Sequence, residues 1–263
     1  MKIIVTSTAS TRQEPSLQAF LSECRWDFVP RQGRSIHKLR TLYQADAVVV
    51  WEPSGPVLYV EDEKFFFHPS MAKNRLGLYR KKGIQDLMVR VCEIQPGDRI
   101  LDCTLGLGAD AIVAAYFAKT DVVGLESAIP LARVVKWGMK MYSTPFPWLE
   151  EAIKRICVIP RDHQSYLAEC PGDSFDIVYF DPMFQHPLLK SQPLNPLRKL
   201  ADHRPLTEDS IEQACRVARK KVVLKERSDS LEFERLGFQK IVRGSNKLIA
   251  YGTIDVNPPG SRG

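Results

Sequence analysis

Short apolar runs alternate with amphipathic stretches along most of the chain, and that alternation predicts strands followed by helices. Ile3-Ile4-Val5-Thr6 reads as a first strand. A helix follows, starting at Pro15, where the fixed φ suits a first turn, with Leu17, Phe20 and Leu21 on one face. Trp26-Asp27-Phe28-Val29 is a short strand, and the basic stretch from Arg31 to Arg40 turns into a helix with Ser35 at its N-cap. Ala47-Val48-Val49-Val50-Trp51 and Val57-Leu58-Tyr59-Val60 are strands with a Gly55-Pro56 turn between them. These pieces predict a small α/β domain over residues 1–70.

Beyond the Pro96-Gly97-Asp98 turn the alternation becomes regular. Strands are expected at 99–104, 121–126, 156–161, 175–181 and 221–226, and helices at 109–118, 130–141, after Asp162, and at 208–219. Pro145-Phe146-Pro147-Trp148 interrupts the pattern before a short helix through Glu151 and Ile153. Repeated βα units imply a doubly wound, mostly parallel sheet over 71–256. The last pair of strands, 238–243 and 247–254, meets at Gly244-Ser245-Asn246 and adds an antiparallel hairpin at one edge. The tail over 257–263 is expected to be disordered.

One stretch organises this second domain: Arg99-Ile100-Leu101-Asp102-Cys103-Thr104-Leu105-Gly106-Leu107-Gly108-Ala109-Asp110. An apolar strand ends in an acid, turns through two glycines and opens into a helix, and such a turn lets backbone approach a ligand closely. Glu126 closes the next apolar run, and Asp162, followed by His163, closes the one after. Carboxylates at successive strand ends point to a nucleoside site on the carboxyl edge of the sheet. The spacing of Glu126 from the glycines also suits a dinucleotide enzyme. Against that reading stand Ala111 at the third glycine position and the Asp181-Pro182-Met183-Phe184 stretch.

Composition changes this picture only at the margins. With 263 residues, 44% hydrophobic and 26% charged, the chain has enough apolar surface for a core and the composition of a folded protein. No apolar run reaches the roughly 20 residues of a membrane span, and the start of the chain is too short and polar for a signal peptide. A cytoplasmic location is therefore expected. The six cysteines form no C-x-x-C pair and read as reduced thiols, with Cys103 and Cys157 inside apolar strands. The five histidines make no metal-ligand cluster, so no metal is expected. A net charge of +6 hints at a polyanionic partner. Phe65-Phe66-Phe67 reads as core or as a base-stacking platform, and Arg75, Arg80, Lys81 and Lys82 as a solvated helix face or a phosphate grip.

Asp181-Pro182-Met183-Phe184 ends an apolar strand and resembles the Asp/Asn-Pro-Pro-Tyr/Phe motif of methyltransferases acting on exocyclic amines. There an acidic or amide oxygen and the following carbonyl accept from the amino group, and the aromatic ring stacks on the base. Such acceptors help because a planar amine is a poor nucleophile, its lone pair being delocalised into the ring. Together with Asp102-x-Thr104-x-Gly106-x-Gly108-x-Asp110, Leu125-Glu126, His186, Val223-Leu224-Lys225-x-Arg227 and Tyr251-Gly252-Thr253, it is similar to the class I S-adenosylmethionine-dependent methyltransferases. Within them it is similar to the family that includes the bacterial small-subunit ribosomal RNA guanine-N2 methyltransferase. Gln185 stands where that enzyme has proline. Residues 29–35 and 65–72 look like a branch found in Gram-positive bacteria.

The resemblance implies a Rossmann-like methyltransferase sheet, S-adenosylmethionine as cofactor with S-adenosylhomocysteine as product, and ribosomal RNA or the small subunit as partner. It also implies roles. Asp102, Thr104, Gly106, Gly108 and Asp110 would form the cofactor turn, Glu126 and Ser127 would meet the ribose, and Asp162 and His163 the adenine. Asp181, Pro182 and Phe184 would hold the amine. Arg75, His186, Lys190 and Lys225 would face substrate, Lys225 as a phosphate-orienting residue or as a strand-end lysine that snorkels. Arg31, Arg34, Lys38 and Arg40 would grip phosphates. Rival readings are a small-molecule or protein amine as substrate, a non-catalytic RNA-binding protein of the same fold, and, more distantly, a nicotinamide-dependent oxidoreductase.

Overall fold

The computed structural model describes residues 1–8, 10–61, 63–182, 200, 203–244 and 248–256. They fall into two compact units. The first holds Met1–His68, Arg133–Ser143 and Leu200; the second holds Pro69–Ala132 and the other described residues from Thr144 onward.

The first unit is built on β1 (Ile3–Ser7), β2 (Asp27–Phe28), β3 (Ala47–Glu52), β4 (Gly55–Val60) and β5 (Glu63–Phe65), in the order β2-β1-β3-β4-β5. β1 pairs in parallel with β2 and β3, while β3, β4 and β5 run antiparallel. Helices α1 (Pro15–Cys24) and α2 (Ile36–Tyr43) connect the parallel strands. The Ser35 cap is as expected, its Oγ accepting from the Lys38 amide at 3.2 Å. The hairpin turn is not. Glu52 pairs with Gly55, so Pro53-Ser54 makes the turn and Gly55-Pro56 opens β4. Pro53 pre-sets the φ of the second turn position, and Gly55 takes a φ of +119° that only glycine adopts easily. Phe20, Trp51 and Trp137 pack with ring centroids 4.9 to 5.8 Å apart. In the aromatic triplet at the end of β5, Phe65 and Phe67 are buried and Phe66 is exposed.

The second unit begins with α3 (Ser70–Lys82) and α4 (Leu87–Cys92) and then alternates as expected. The order is β6 (Ile100–Asp102), α5 (Ala109–Ala118), β7 (Val122–Leu125), α6 (Ile129–Met141), α7 (Pro147–Lys154), β8 (Ile156–Ile159), α8 (His163–Glu169) and β9 (Phe175–Phe180). There follow α9 (Glu208–Val217), β10 (Ala218–Arg227), α10 (Glu232–Arg235), β11 (Lys240–Arg243) and β12 (Ile249–Asp255). α6 is continuous, and from Arg133 onward it belongs to the first unit.

Strand order in this sheet is β11-β12-β10-β9-β6-β7-β8, parallel from β8 through β10 and antiparallel at β10-β12-β11. The expected doubly wound sheet with a terminal antiparallel hairpin is borne out. The chain leaves β6 toward β7 and β8, then returns to the other side of β6 as β9. That reversal opens a crevice beyond the carboxyl ends of β6 and β9, where ligands of open α/β sheets bind. Leu101, Val178, Phe180 and Val222 are fully buried beneath it, each such side chain contributing about 1.5–3 kcal/mol of transfer free energy. Cys103 is buried there too, whereas Cys157 is exposed on β8, because β8 is an edge strand and residue 157 faces away from the core. Among the described residues no helix is long and apolar enough to cross a membrane.

Candidate active site

The strand ends meet through a few hydrogen bonds. Asp102, the last residue of β6, accepts from the Thr104 amide at 3.0 Å. Thr104 Oγ1 in turn accepts from the Asp181 amide at 2.6 Å, which ties the end of β6 to the end of β9. Gly106 and Gly108 both adopt positive φ, +51° and +73°, so a side chain at either would strain the turn. The turn hangs on β7: Leu105 donates its amide to the Leu125 carbonyl at 2.8 Å. Gly124 makes room for that approach, since a Cβ there would lie 2.5 Å from Leu105 Cδ1. Glu126 is buried, and its carboxylate accepts from the Gly106 amide at 3.2 Å and the Ala128 amide at 2.9 Å. Ser127, beside it, is half-buried.

Behind the turn lies a connected set of charges. Asp110, in the first turn of α5, accepts from Lys225 Nζ at 2.9 Å, from the Tyr179 hydroxyl at 2.9 Å and from the Arg75 guanidinium. Arg75, on α3, also grips Asp86 with two bonds of 2.8 Å. Lys225, on β10, donates to Asp181 at 2.7 Å. Three carboxylates, Asp86, Asp110 and Asp181, thus share two cations. Parallel pairing of Leu224 with Phe180 places Lys225 beside Asp181.

Protonation follows from this arrangement. Burial would push the Asp110 carboxyl up, but Lys225 and Arg75 outweigh it and hold it well below the usual carboxylate range. Burial raises Asp102 to about 8, opposed by the Thr104 amide and reinforced by the negative Asp110. Burial likewise raises Asp181 to about 6, with Lys225 pulling down and Asp110 pushing up. Burial works against the Lys225 charge, yet Asp110 and Asp181 raise its pKa well above the ordinary lysine value. Asp181 therefore stands in the range of a general base, next to a fixed cation.

Of the residues singled out from sequence, Arg75, Asp102, Thr104, Asp110, Asp181 and Lys225 come together in this network, and Gly106 joins Glu126. Arg75 and Lys225, expected to face substrate, are paired with carboxylates. Asp162 caps α8, accepting from the Gln164 and Ser165 amides at 3.1 and 3.3 Å, and its other oxygen accepts from Arg204 at 2.7 Å. The His163 ring packs edge-on to Phe180 at 5.7 Å. Pro182 follows Asp181 directly, while Phe184, His186 and Lys190 lie outside the described residues. Sequence reading missed Asp86 and Tyr179. Tyr179 was detectable, since it lies two residues before Asp181 and so on the same side of β9. Asp86, the N-cap of α4, carried no comparable signal.

Comparison with known proteins places this geometry in context. Residues 64–239 match the family model described as "Putative SAM-dependent methyltransferase". Protein YpiP of Bacillus subtilis is 36% identical over 238 residues, covering 90% of this chain and 92% of YpiP. Ribosomal RNA small subunit methyltransferase J of Acinetobacter baylyi is 30% identical over 114 residues, which span 41% of this chain and 42% of that protein. Among solved structures, the SAM-dependent methyltransferase NGO1261 of Neisseria gonorrhoeae shares the fold, with a TM-score of 0.66 at 18% identity over 98% of this chain and 97% of that one. With the matched family covering the whole of the Gly106–Gly108 turn and the Asp110–Lys225–Asp181 network, the chain belongs to the SAM-dependent methyltransferases and uses S-adenosyl-L-methionine as its cofactor.

Proposed function

We propose that the enzyme methylates an exocyclic amine of ribosomal RNA, guanine N2 in the small subunit, with Asp181 as the acceptor that holds the amine. The observation that carries this reading is Asp181 itself. Its carboxylate ends β9 beside the glycine turn, is anchored through its own amide to Thr104, and sits next to Lys225. The partial similarity to small-subunit methyltransferase J supports the choice of RNA. The net charge of +6 suits a polyanion.

The residues of the turn fit S-adenosylmethionine. Glu126 is a buried carboxylate already oriented by two backbone amides, a suitable partner for a pair of ribose hydroxyls. Gly106 and Gly108 give a backbone path no side chain obstructs, and Asp102, Thr104 and Asp110 border it. Ser127 lies beside Glu126 on the ribose side, and Asp162 and His163 serve the adenine. Held there, S-adenosylmethionine would supply an electrophilic methyl group for the amine nitrogen. The chain's own part is to orient the amine and receive its proton. Asp181 and the Pro182 carbonyl accept from the amino group, and the Asp181 carboxylate takes the departing proton; Phe184, which lies outside the described residues, is the residue assigned to the base. The base must first leave its stack to reach these groups. In the first unit Arg31, Arg34, Lys38 and Arg40 hold RNA phosphates.

The test is to incubate the protein with radiolabelled S-adenosylmethionine and small ribosomal subunits from a strain lacking its gene. Label in RNA that digests to N2-methylguanosine is the expected result. Label in another nucleoside would overturn the guanine assignment. Absence of label, with cofactor binding intact by calorimetry, would overturn the ribosomal substrate and favour a small-molecule or protein amine.

A further inference from the structure

Lys225 has a second strong claim on attention beyond its place in the fold. A lysine on a β-strand interior is expected to snorkel toward water. This one is only 17% exposed, and its ammonium is divided between Asp110 at 2.9 Å and Asp181 at 2.7 Å. Asp110 is in turn fixed from the far side by Arg75, and Arg75 by Asp86. The charges alternate along a chain, Asp86, Arg75, Asp110, Lys225, Asp181, that starts before α4 and ends on the proposed amine acceptor.

We propose that Lys225 is a positioning residue for methyl transfer: shared between Asp110 and Asp181, it keeps the Asp181 carboxylate ionised and turned to receive the proton that the substrate amine loses. This rests on the assignment of Asp181 under the proposed function. The step it serves is a simple one. An N–H bond of the methylated nitrogen breaks, its electron pair stays on nitrogen, and an O–H bond forms on Asp181. A carboxylate that already carries a proton cannot perform it. Asp181 faces the negative Asp110 in a poorly hydrated setting, and both circumstances favour protonation. Lys225 offsets both, and the Arg75–Asp86 pair keeps Asp110 from claiming the ammonium alone.

The titratable groups around Asp181 are Asp102 on β6, Asp110 on α5, Tyr179 on β9, Tyr251 on β12 and, across Asp110, Arg75, Asp86 and Cys92. Burial pushes Tyr179, Tyr251 and Cys92 upward, out of the neutral range. Asp181, raised to about 6, and Asp102, raised to about 8, titrate between pH 5 and pH 9, and variants of those two residues assign their signals.

The experiment follows the side-chain carboxyl carbons of the full-length protein, labelled at aspartate with carbon-13, through a pH titration by NMR. Asp181→Asn and Asp102→Asn identify the two midpoints. Lys225→Met is expected to raise the Asp181 midpoint by about 1–3 pH units, the usual effect of a close opposite charge, and Lys225→Arg is expected to leave it near its original value. An unmoved midpoint in Lys225→Met would overturn the proposal, because a purely structural lysine does not set that value. Should Lys225→Met fail to fold, Asp110→Asn decides the matter. It removes the repelling charge and leaves Lys225 to Asp181 alone, so the midpoint should fall; a midpoint that stays or rises would overturn the proposal. The titration needs no substrate, so its result is separate from whether ribosomal RNA takes up label.

Discussion

The two units use their shielded carboxylates in opposite ways. In the first, Glu23 accepts from Arg133, from Lys136 at 2.7 Å and from the Trp137 indole at 3.0 Å. Glu14 likewise accepts from the Trp51 indole at 3.0 Å. Donors there outnumber carboxylates, and the result is a fastening of helix to core. In the second unit the balance is reversed: Asp86, Asp110 and Asp181 share Arg75 and Lys225, and Asp102 stands close by without a cation of its own. A surplus of negative charge that burial keeps from water changes proton affinities rather than merely joining elements. Chemistry is therefore expected at the second network and not at the first.

That contrast can be broken by substitution. The largest effect is expected at Asp110. Asp110→Ala leaves Lys225 and Arg75 each short of a partner in a poorly hydrated site, a loss of about 3 kcal/mol of stability, to be read from urea unfolding. Next comes Glu126→Ala, which should weaken S-adenosylmethionine by about 1.5–3 kcal/mol, the range for hydrogen bonds to a charged group. Calorimetry measures it, and an unchanged affinity would remove Glu126 from the cofactor site. Glu23→Ala should cost about 1–2 kcal/mol of stability through the stranded Trp137 N–H, while cofactor affinity stays the same. A drop in affinity would mean that the two networks are not as distinct as the contrast holds.

A further effect is a slope with pH. Below the usual carboxylate range Asp102 is protonated in both folded and unfolded chains and makes no difference to stability. Above it the unfolded chain sheds the proton while folded Asp102 keeps it until about pH 8, so stability falls as pH rises between those limits. Asp181, raised to about 6, adds to the fall over the lower part of the window. Asp102→Asn should make the decline between pH 5 and pH 8 shallower, and equal slopes in the two proteins would contradict the assigned state of Asp102.

Much of this was legible in the sequence wherever the signal was local. The strands closed by Asp102, Glu126 and Asp181 are short apolar runs ended by an acid, and the Gly106–Gly108 turn, the Ser35 cap and the Pro15 helix start are set by neighbouring residues. What escaped depends on distant partners. The charge of Arg75 reads as a solvated helix face or a phosphate grip, and only tertiary packing shows it against Asp86 and Asp110. Lys225 reads equally as a phosphate-orienting residue or a snorkelling strand-end lysine, and only the β9–β10 register shows it beside Asp181. β10 starts at Ala218, earlier than the apolar run suggests, because Arg219 and Lys220 lie at a register shift against β9 that a sequence pattern does not reveal. Gly55-Pro56 reads as a turn by residue type, whereas the φ of Gly55 and its place opposite Glu52 make it the first residue of β4.

The central claim is that Asp181 receives the amine and its proton while other residues hold the cofactor. The direct measurement pairs cofactor affinity with methyl transfer in Asp181→Ala. Affinity within a few-fold of the parent protein, with transfer abolished, is the predicted result. Retained transfer, or loss of cofactor binding along with activity, would contradict it.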